Sequence, residues 1–113
     1  MLASTSNLIK RYREASLQMD NTSDPQKANK WHDEWHACYK ILRATNEGRE
    51  AIIALMQDEE PAVRCGAASH SLQWAPEIAR EVLEALRDSP GSCKFEAQMI
   101  LTEYDKGRLT FDY

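Results

Sequence analysis

Two histidines lie four residues apart in the chain, at positions 32 and 36. On a helix this spacing places both imidazoles on one side, as in helices that ligate zinc. In the zinc-peptidase motif a glutamate follows the first histidine as general base. Here Asp33 follows His32, and no third ligand is indicated. One interpretation is a small zinc-dependent enzyme that uses His32 and His36. The favoured alternative places both side chains at the edge between the buried and exposed sides of the helix. We therefore expect no metal and no cofactor.

A thiol and an imidazole also lie close together in sequence, at Cys65 and His70. Five residues correspond to about 500° of helix rotation, so the two side chains diverge by about 140°. No glycine-bearing turn that would hold an oxyanion accompanies them. We therefore expect no catalytic residues, and we expect Cys38, Cys65 and Cys93 to be buried apolar groups. Three widely spaced cysteines do not form a disulfide framework, and this favours a reducing, cytoplasmic location.

The elements that would position these side chains all follow a helical period. Of the 113 residues, 42% are hydrophobic and 28% are charged, which is typical of one globular domain. Pro25, Pro61 and Pro76 each stand where a helix can begin, because the first turn needs no N–H from them. The pattern predicts an all-α fold with about six helices, one within residues 1–20 and the others near residues 25–44, 47–57, 61–74, 76–88 and 93–106.

The apolar residues also predict which side of each helix faces inward. Trp31 and Trp35, one turn apart, mark the second helix as an anchor of the core. For the last two helices, the predicted inner faces are Ile78, Ala79, Val82, Leu83 and Leu86, and Phe95, Met99, Ile100 and Tyr104.

A repeat of 30 residues relates parts of the second half. This offset places Asp58 on Asp88, Arg64 on Lys94 and Ala67 on Ala97. We interpret each unit as a helical hairpin that buries its apolar face by stacking on its neighbours. The predicted organisation is a single repeat domain over 1–113. It comprises an N-terminal capping helix (1–20), a first hairpin (25–57), a second hairpin (58–88), and a terminal half-repeat with a tail (89–113).

The segment DEEPAVR at residues 58–64, followed by Ala67, Ala68 and Leu72, resembles the first helix of a HEAT-like repeat. The whole chain resembles a group of small bacterial proteins, domain-of-unknown-function family twenty-nineteen. The resemblance implies an α-solenoid fragment and a bacterial source. It implies that Val63 packs inward and that Arg64 reaches towards the acidic turn. It supplies no agreed activity and no catalytic residues.

The charge balance disfavours several classes of function. The formal net charge is −4, and nucleic-acid binding depends on clustered Lys and Arg, so we expect no nucleic-acid partner. The longest mainly apolar run, residues 51–56, is far shorter than the roughly 20 residues that cross a bilayer. The start of the chain lacks the pattern of a cleaved secretion signal. We therefore expect no membrane association.

The acidic residues concentrate in the second part of the chain. Residues 1–43 carry a formal charge of +2, and residues 44–113 carry −6. Glu77, Glu81 and Glu84 follow one exposed helical stripe, and we predict a partner-binding surface made of Glu59, Glu60, Glu77, Glu81 and Glu84.

We therefore expect a non-catalytic module that binds another protein. The specific hypothesis is a bacterial immunity protein whose acidic helical surface blocks a basic toxin domain. An intracellular scaffold or adaptor subunit that regulates another enzyme is the alternative. The oligomeric state stays open.

Overall fold

The computed structural model describes residues 4–111 and confirms the all-α fold. This part of the chain contains six helices and no strand. The helices are α1 (Thr5–Asn21), α2 (Pro25–Leu42), α3 (Asn46–Leu55), α4 (Pro61–Ser71), α5 (Pro76–Arg87) and α6 (Lys94–Asp105). Three of them begin at a proline, as the sequence predicts.

Local capping defines the helix ends. The Ser4 hydroxyl accepts a hydrogen bond from the Asn7 N–H at 3.1 Å and caps α1, and Asp24 accepts from the Gln26 N–H at 2.9 Å and caps α2. At the end of α6, Gly107 has a φ of 69°. The Gly107 N–H donates to the Tyr104 carbonyl, and the Arg108 N–H donates to the Glu103 carbonyl. These two hydrogen bonds form a Schellman motif. Gly107 therefore ends α6 in the left-handed conformation that glycine adopts without strain.

The chain divides into two compact units, Met1–Leu55 and Met56–Tyr113. In the first unit α1 packs mainly against α2, and α3 contacts both. The Tyr12 and Trp35 rings lie 5.7 Å apart between centroids. Tyr12, Tyr39, Leu42 and Ile52 are almost fully excluded from solvent. Trp35 is buried as predicted, whereas Trp31 is only half-buried.

In the second unit α5 packs against both α4 and α6, and α4 contacts α6. Val63, Ala67 and Ala68 of α4 are fully buried, and their small size lets neighbouring backbones approach closely. From α5 and α6, the buried side chains are Ala79, Leu83, Leu86, Ala97, Ile100 and Leu101. In the tail, Leu109 and Phe111 are half-buried, and Tyr113 lies outside the described residues.

The predicted inner face of α5 is wrong at one position. Ile78 is 51% exposed, because the buried stripe is centred on Ala79, Leu83 and Leu86. Each residue turns the helix by about 100°, so the residue before Ala79 points well away from the core. Val82 is half-buried at the edge of the same stripe.

The predicted inner face of α6 is wrong for Phe95 and Met99, whereas Ile100 is buried as predicted. Phe95 is 79% exposed and Met99 is 61% exposed, whereas Ala97 and Leu101 are buried. Phe95 lies about 160° around the helix from Ala97, so burying one exposes the other. Helix α6 carries apolar side chains on more than one side. Its packing against α5 and α4 buries the side with Ala97 and Leu101.

Replacing Trp35 by alanine tests the core of the first unit. We expect Trp35→Ala to lower the free energy of unfolding by about 3–5 kcal/mol, because it removes a buried aromatic side chain that contacts Tyr12. The measurement is urea denaturation followed by circular dichroism. Trp31→Ala is the matched control and should cost clearly less. A loss within about 0.5 kcal/mol for Trp35→Ala would contradict the burial of this side chain.

Replacing Gly48 tests a close backbone contact in the first unit. A Cβ at this position would overlap the carbonyl oxygen of Leu42 and lie 2.6 Å from its carbonyl carbon. Because these are backbone atoms, Gly48→Ala should destabilise the chain by at least about 2 kcal/mol in urea denaturation. Gly107→Ala is the comparison: no atom lies within 4 Å of its added Cβ, so only the strain of its positive φ, about 1 kcal/mol, is expected. Equal losses would contradict the proposed contact.

Candidate functional site

The exposed side of α5 carries the predicted acidic stripe. Glu77 and Glu81 are exposed and lie opposite the buried stripe of α5. Neither has an ion pair within residues 4–111. Two carboxylates one turn apart therefore present their full charge to solvent.

Glu84, the third member of the stripe, is partly neutralised by Arg80. The Arg80 Nε lies 3.7 Å from Glu84 Oε2, and its Nη1 and Nη2 donate to the Asp105 carboxylate at 2.8 and 2.9 Å. This bidentate pair joins α5 to α6. The hydrogen bond from Arg80, with a smaller effect of its charge, lowers the pKa of Asp105 below its usual value. Glu84 therefore lies beside an arginine that also holds α5 against α6.

Glu59 and Glu60 lie exposed in the turn before α4. The Glu60 N–H donates to Asp58 Oδ2 at 3.0 Å. Arg64 Nη1 donates to the carbonyl oxygens of Asp58 at 2.8 Å and Glu59 at 3.2 Å. Arg64 thus holds the turn through its backbone, and the outward glutamate side chains are left to solvent. Val63 is buried, and Arg64 reaches the backbone carbonyls of the turn.

An apolar side chain lies beside the acidic pair on α5. Ile78 adjoins Glu77 in sequence and lies three residues before Glu81, on a neighbouring part of the helix surface. A shallow hollow of about 280 Å³ next to it is lined by Trp74, Ala75, Pro76, Glu77 and Ile78. We call Glu77, Ile78 and Glu81 the α5 face. The helical pattern predicts a buried Ile78, so the apolar part of this surface cannot be found from the sequence alone.

A second exposed apolar surface lies on α6. Phe95 and Met99 are one helical turn apart, and both are mostly exposed. Adjacent large apolar side chains in contact with water are typical of surfaces that another protein covers. The apolar period predicts both residues in the core, and only the packing of α6 shows that this α6 pair is exposed.

His32 and His36 lie side by side on α2, but His36 lies on the buried side of the helix and not at its edge. It is only 7% exposed, whereas His32 is half-buried. Their rings are nearly parallel, with centroids 6.1 Å apart, and His36 also lies 5.3 Å from the Tyr39 ring. The boundary prediction is wrong for His36 because both α1 and α3 pack on α2 and widen its buried sector. Within residues 4–111, no three His, Cys, Asp or Glu side chains are grouped to hold a metal ion.

The three cysteine side chains are buried thiols, as predicted. Burial raises the pKa of the Cys38 thiol, and this outweighs the opposing effect of the Arg11 charge. A raised pKa keeps the thiol protonated and weakens it as a nucleophile. Cys65 and His70 are both excluded from solvent, at 1% exposure each.

The chain was compared with protein-family models, curated proteins and solved structures. No family model, curated protein or solved structure matches the chain. The resemblance to the HEAT-like family therefore stays a prediction. Over residues 4–111, every helix is too short or too polar to cross a membrane.

The pair formed by Arg80 and Asp105 predicts a pH-dependent stability. The folded-state pKa of Asp105 lies below its unfolded value, so its ionised form stabilises the fold at pH values above the unfolded pKa of about 3.9. This contribution is lost as the pH falls through the folded-state pKa. In urea denaturation, Asp105→Asn should be less stable than the natural chain at pH 7, and the difference should shrink towards pH 2.5.

Arg80→Gln is the matched variant, because it removes the other partner of the same pair. It should reproduce the pH dependence of Asp105→Asn. A stability difference that stays constant between pH 7 and pH 2.5 would contradict the role of this ion pair.

Proposed function

We propose that this chain is a non-catalytic protein-binding module, and more specifically a bacterial immunity protein that blocks a cognate toxin with its acidic helical surface. The α5 face carries the proposal. Glu77 and Glu81 present their charges to solvent beside Ile78, which is 51% exposed. A basic toxin surface with an apolar spot would match this arrangement in both charge and polarity.

The acidic pair would act mainly on the rate and orientation of association. Opposite charges steer two proteins together and fix their register, whereas buried apolar contacts supply much of the affinity. Ile78 and the adjoining hollow at Trp74 supply such a contact. Glu59 and Glu60 extend the acidic surface at the turn before α4. Glu84 belongs to this surface only in part, because Arg80 shares its charge.

The packing of α5 supports recognition without rearrangement. Its buried residues Ala79 and Leu83 are fully excluded from solvent, and Arg80 joins the helix to Asp105 of α6. A surface already held in its binding conformation loses little conformational entropy when the partner binds.

A scaffold or adaptor subunit is the second candidate, and the α6 pair favours it. Phe95 and Met99 offer an apolar surface, and permanent complexes bury more apolar area than transient ones. In this alternative the chain would stay bound to its partner enzyme in unstressed cells.

Charge reversal on the α5 face tests the immunity proposal. The chain is co-expressed with the toxin encoded beside its gene, and colony growth and the Kd of the purified pair are measured. The double variant Glu77→Lys, Glu81→Lys should lose growth rescue, and its Kd should rise at least about tenfold, because like charges then face each other. Ile78→Ser should raise the Kd by a similar factor without changing the net charge.

The matched control carries the same change of charge in the other unit. Glu14→Lys, Glu50→Lys alters two exposed glutamates there and should retain rescue. Equal rescue by the two double variants would eliminate the α5 face. A chain with no toxic neighbour, and with a stable partner that is lost on Phe95→Ser, would favour the adaptor instead.

A further inference from the structure

A groove of about 440 Å³ lies in the second unit, between the start of α4, the second half of α5 and the turn before α6. Its volume falls within the range of pockets that bind small molecules. It shares no lining residue with the α5 face, so it would be a separate site. Its lining includes Arg64 of α4, Val82, Ala85 and Leu86 of α5, and Lys94 of α6.

The walls of the groove are largely apolar. Val82, Ala85 and Leu86 form the side contributed by α5, and Pro61 and Pro90 lie on the other elements. Ala85 is exposed, so its methyl group is open to a ligand. A hydrocarbon chain laid along these residues would leave water, which favours binding in proportion to the apolar area that is buried.

The charged side chains that line the groove are both cations. They are Arg64 and Lys94, although the second unit carries eleven acidic and six basic residues. Arg64 uses Nη1 for both of its hydrogen bonds to the turn, so Nε and Nη2 take no part in that contact. A guanidinium has five N–H donors, which leaves three for a carboxylate.

Two helices also begin at the groove. Pro61 is the first residue of α4, Lys94 is the first residue of α6, and neither helix has a side-chain hydrogen bond at its N-cap. The first turn of a helix carries partial positive charge on its unpaired N–H groups. Glu60 at the N-cap of α4 and Glu96 in the first turn of α6 oppose this field, so the attraction for an anion comes from the side chains of Arg64 and Lys94.

We propose that this groove binds a small amphipathic anion, with its carboxylate between Arg64 and Lys94 and its hydrocarbon chain along Val82, Ala85 and Leu86. The cations select against neutral and positively charged ligands. The apolar walls select against small hydrophilic anions such as acetate, which would leave these walls in contact with water.

Octanoate is the probe, and its binding to the full chain is measured by isothermal titration calorimetry. We expect saturable binding of one octanoate per chain. Acetate has the same headgroup without the tail, and 1-octanol has the same number of carbon atoms without the charge. Each should bind at least about tenfold more weakly than octanoate. Equal affinity for 1-octanol, or for acetate, would overturn the proposal, as would the absence of saturable octanoate binding.

Two variants place the probe in the groove. Lys94→Gln removes a groove cation from an exposed position and should weaken octanoate binding at least about fivefold. Ala85→Leu fills the apolar wall and should weaken it as much. Arg64 is left unchanged because it also shapes the turn before α4. Circular dichroism verifies that both variants fold.

The matched control is Lys106→Gln, which makes the same change of charge. Lys106 follows the last residue of α6, about 18 Å along the helix from Lys94. Its replacement should leave octanoate affinity unchanged. Equal losses for Lys94→Gln and Lys106→Gln would show a non-specific charge effect and overturn the assigned site, as would unchanged binding in Ala85→Leu.

Discussion

The rotation of α5 is the constraint on which both proposed sites depend. Ala79, Leu83 and Leu86 are buried, and at about 100° per residue this stripe determines where every other side chain of the helix points. Glu77 and Glu81 then face solvent, and Val82 lies at the edge of the core, beside the groove. The bidentate contact of Arg80 with Asp105 acts in the same direction, because it is formed only when α5 holds this rotation against α6.

Much of the fold could be predicted because several local signals agreed. Prolines at helix starts and a helical apolar period both indicated six helices. The rotation of α6 could not be predicted, because Phe95 and Met99 compete with Ala97 and Leu101 for the core, and only the partner helices decide. The close approach of Gly48 to Leu42 depends likewise on the path of the chain between α2 and α3, which no periodicity encodes.

The candidate site was predicted in its charges but not in its surroundings. Glu77 and Glu81 are exposed as the stripe implied, whereas Glu84 shares Arg80 with Asp105, a residue 25 positions beyond Arg80. A contact between residues so far apart in sequence cannot be predicted from the spacing of residues within one helix. For the same reason a count of charges describes the second unit as acidic and conceals a groove whose charged lining residues are both cations. Net charge predicts long-range attraction, but local binding follows the side chains that the fold brings together.

The two proposed sites share one helix, and this limits how they can influence each other. A ligand changes a distant surface only if it binds two conformations of the protein with different affinity. For the α5 face and the groove, the relevant conformations would differ in the rotation of α5. Any such rotation would expose Leu83 and break the contact of Arg80 with Asp105, at a cost that a small anion burying a few CH₂ groups could offset only in part. The packing that presents both sites therefore also favours their independence. An anion in the groove would stabilise the fold by mass action and leave the geometry of the acidic surface unchanged.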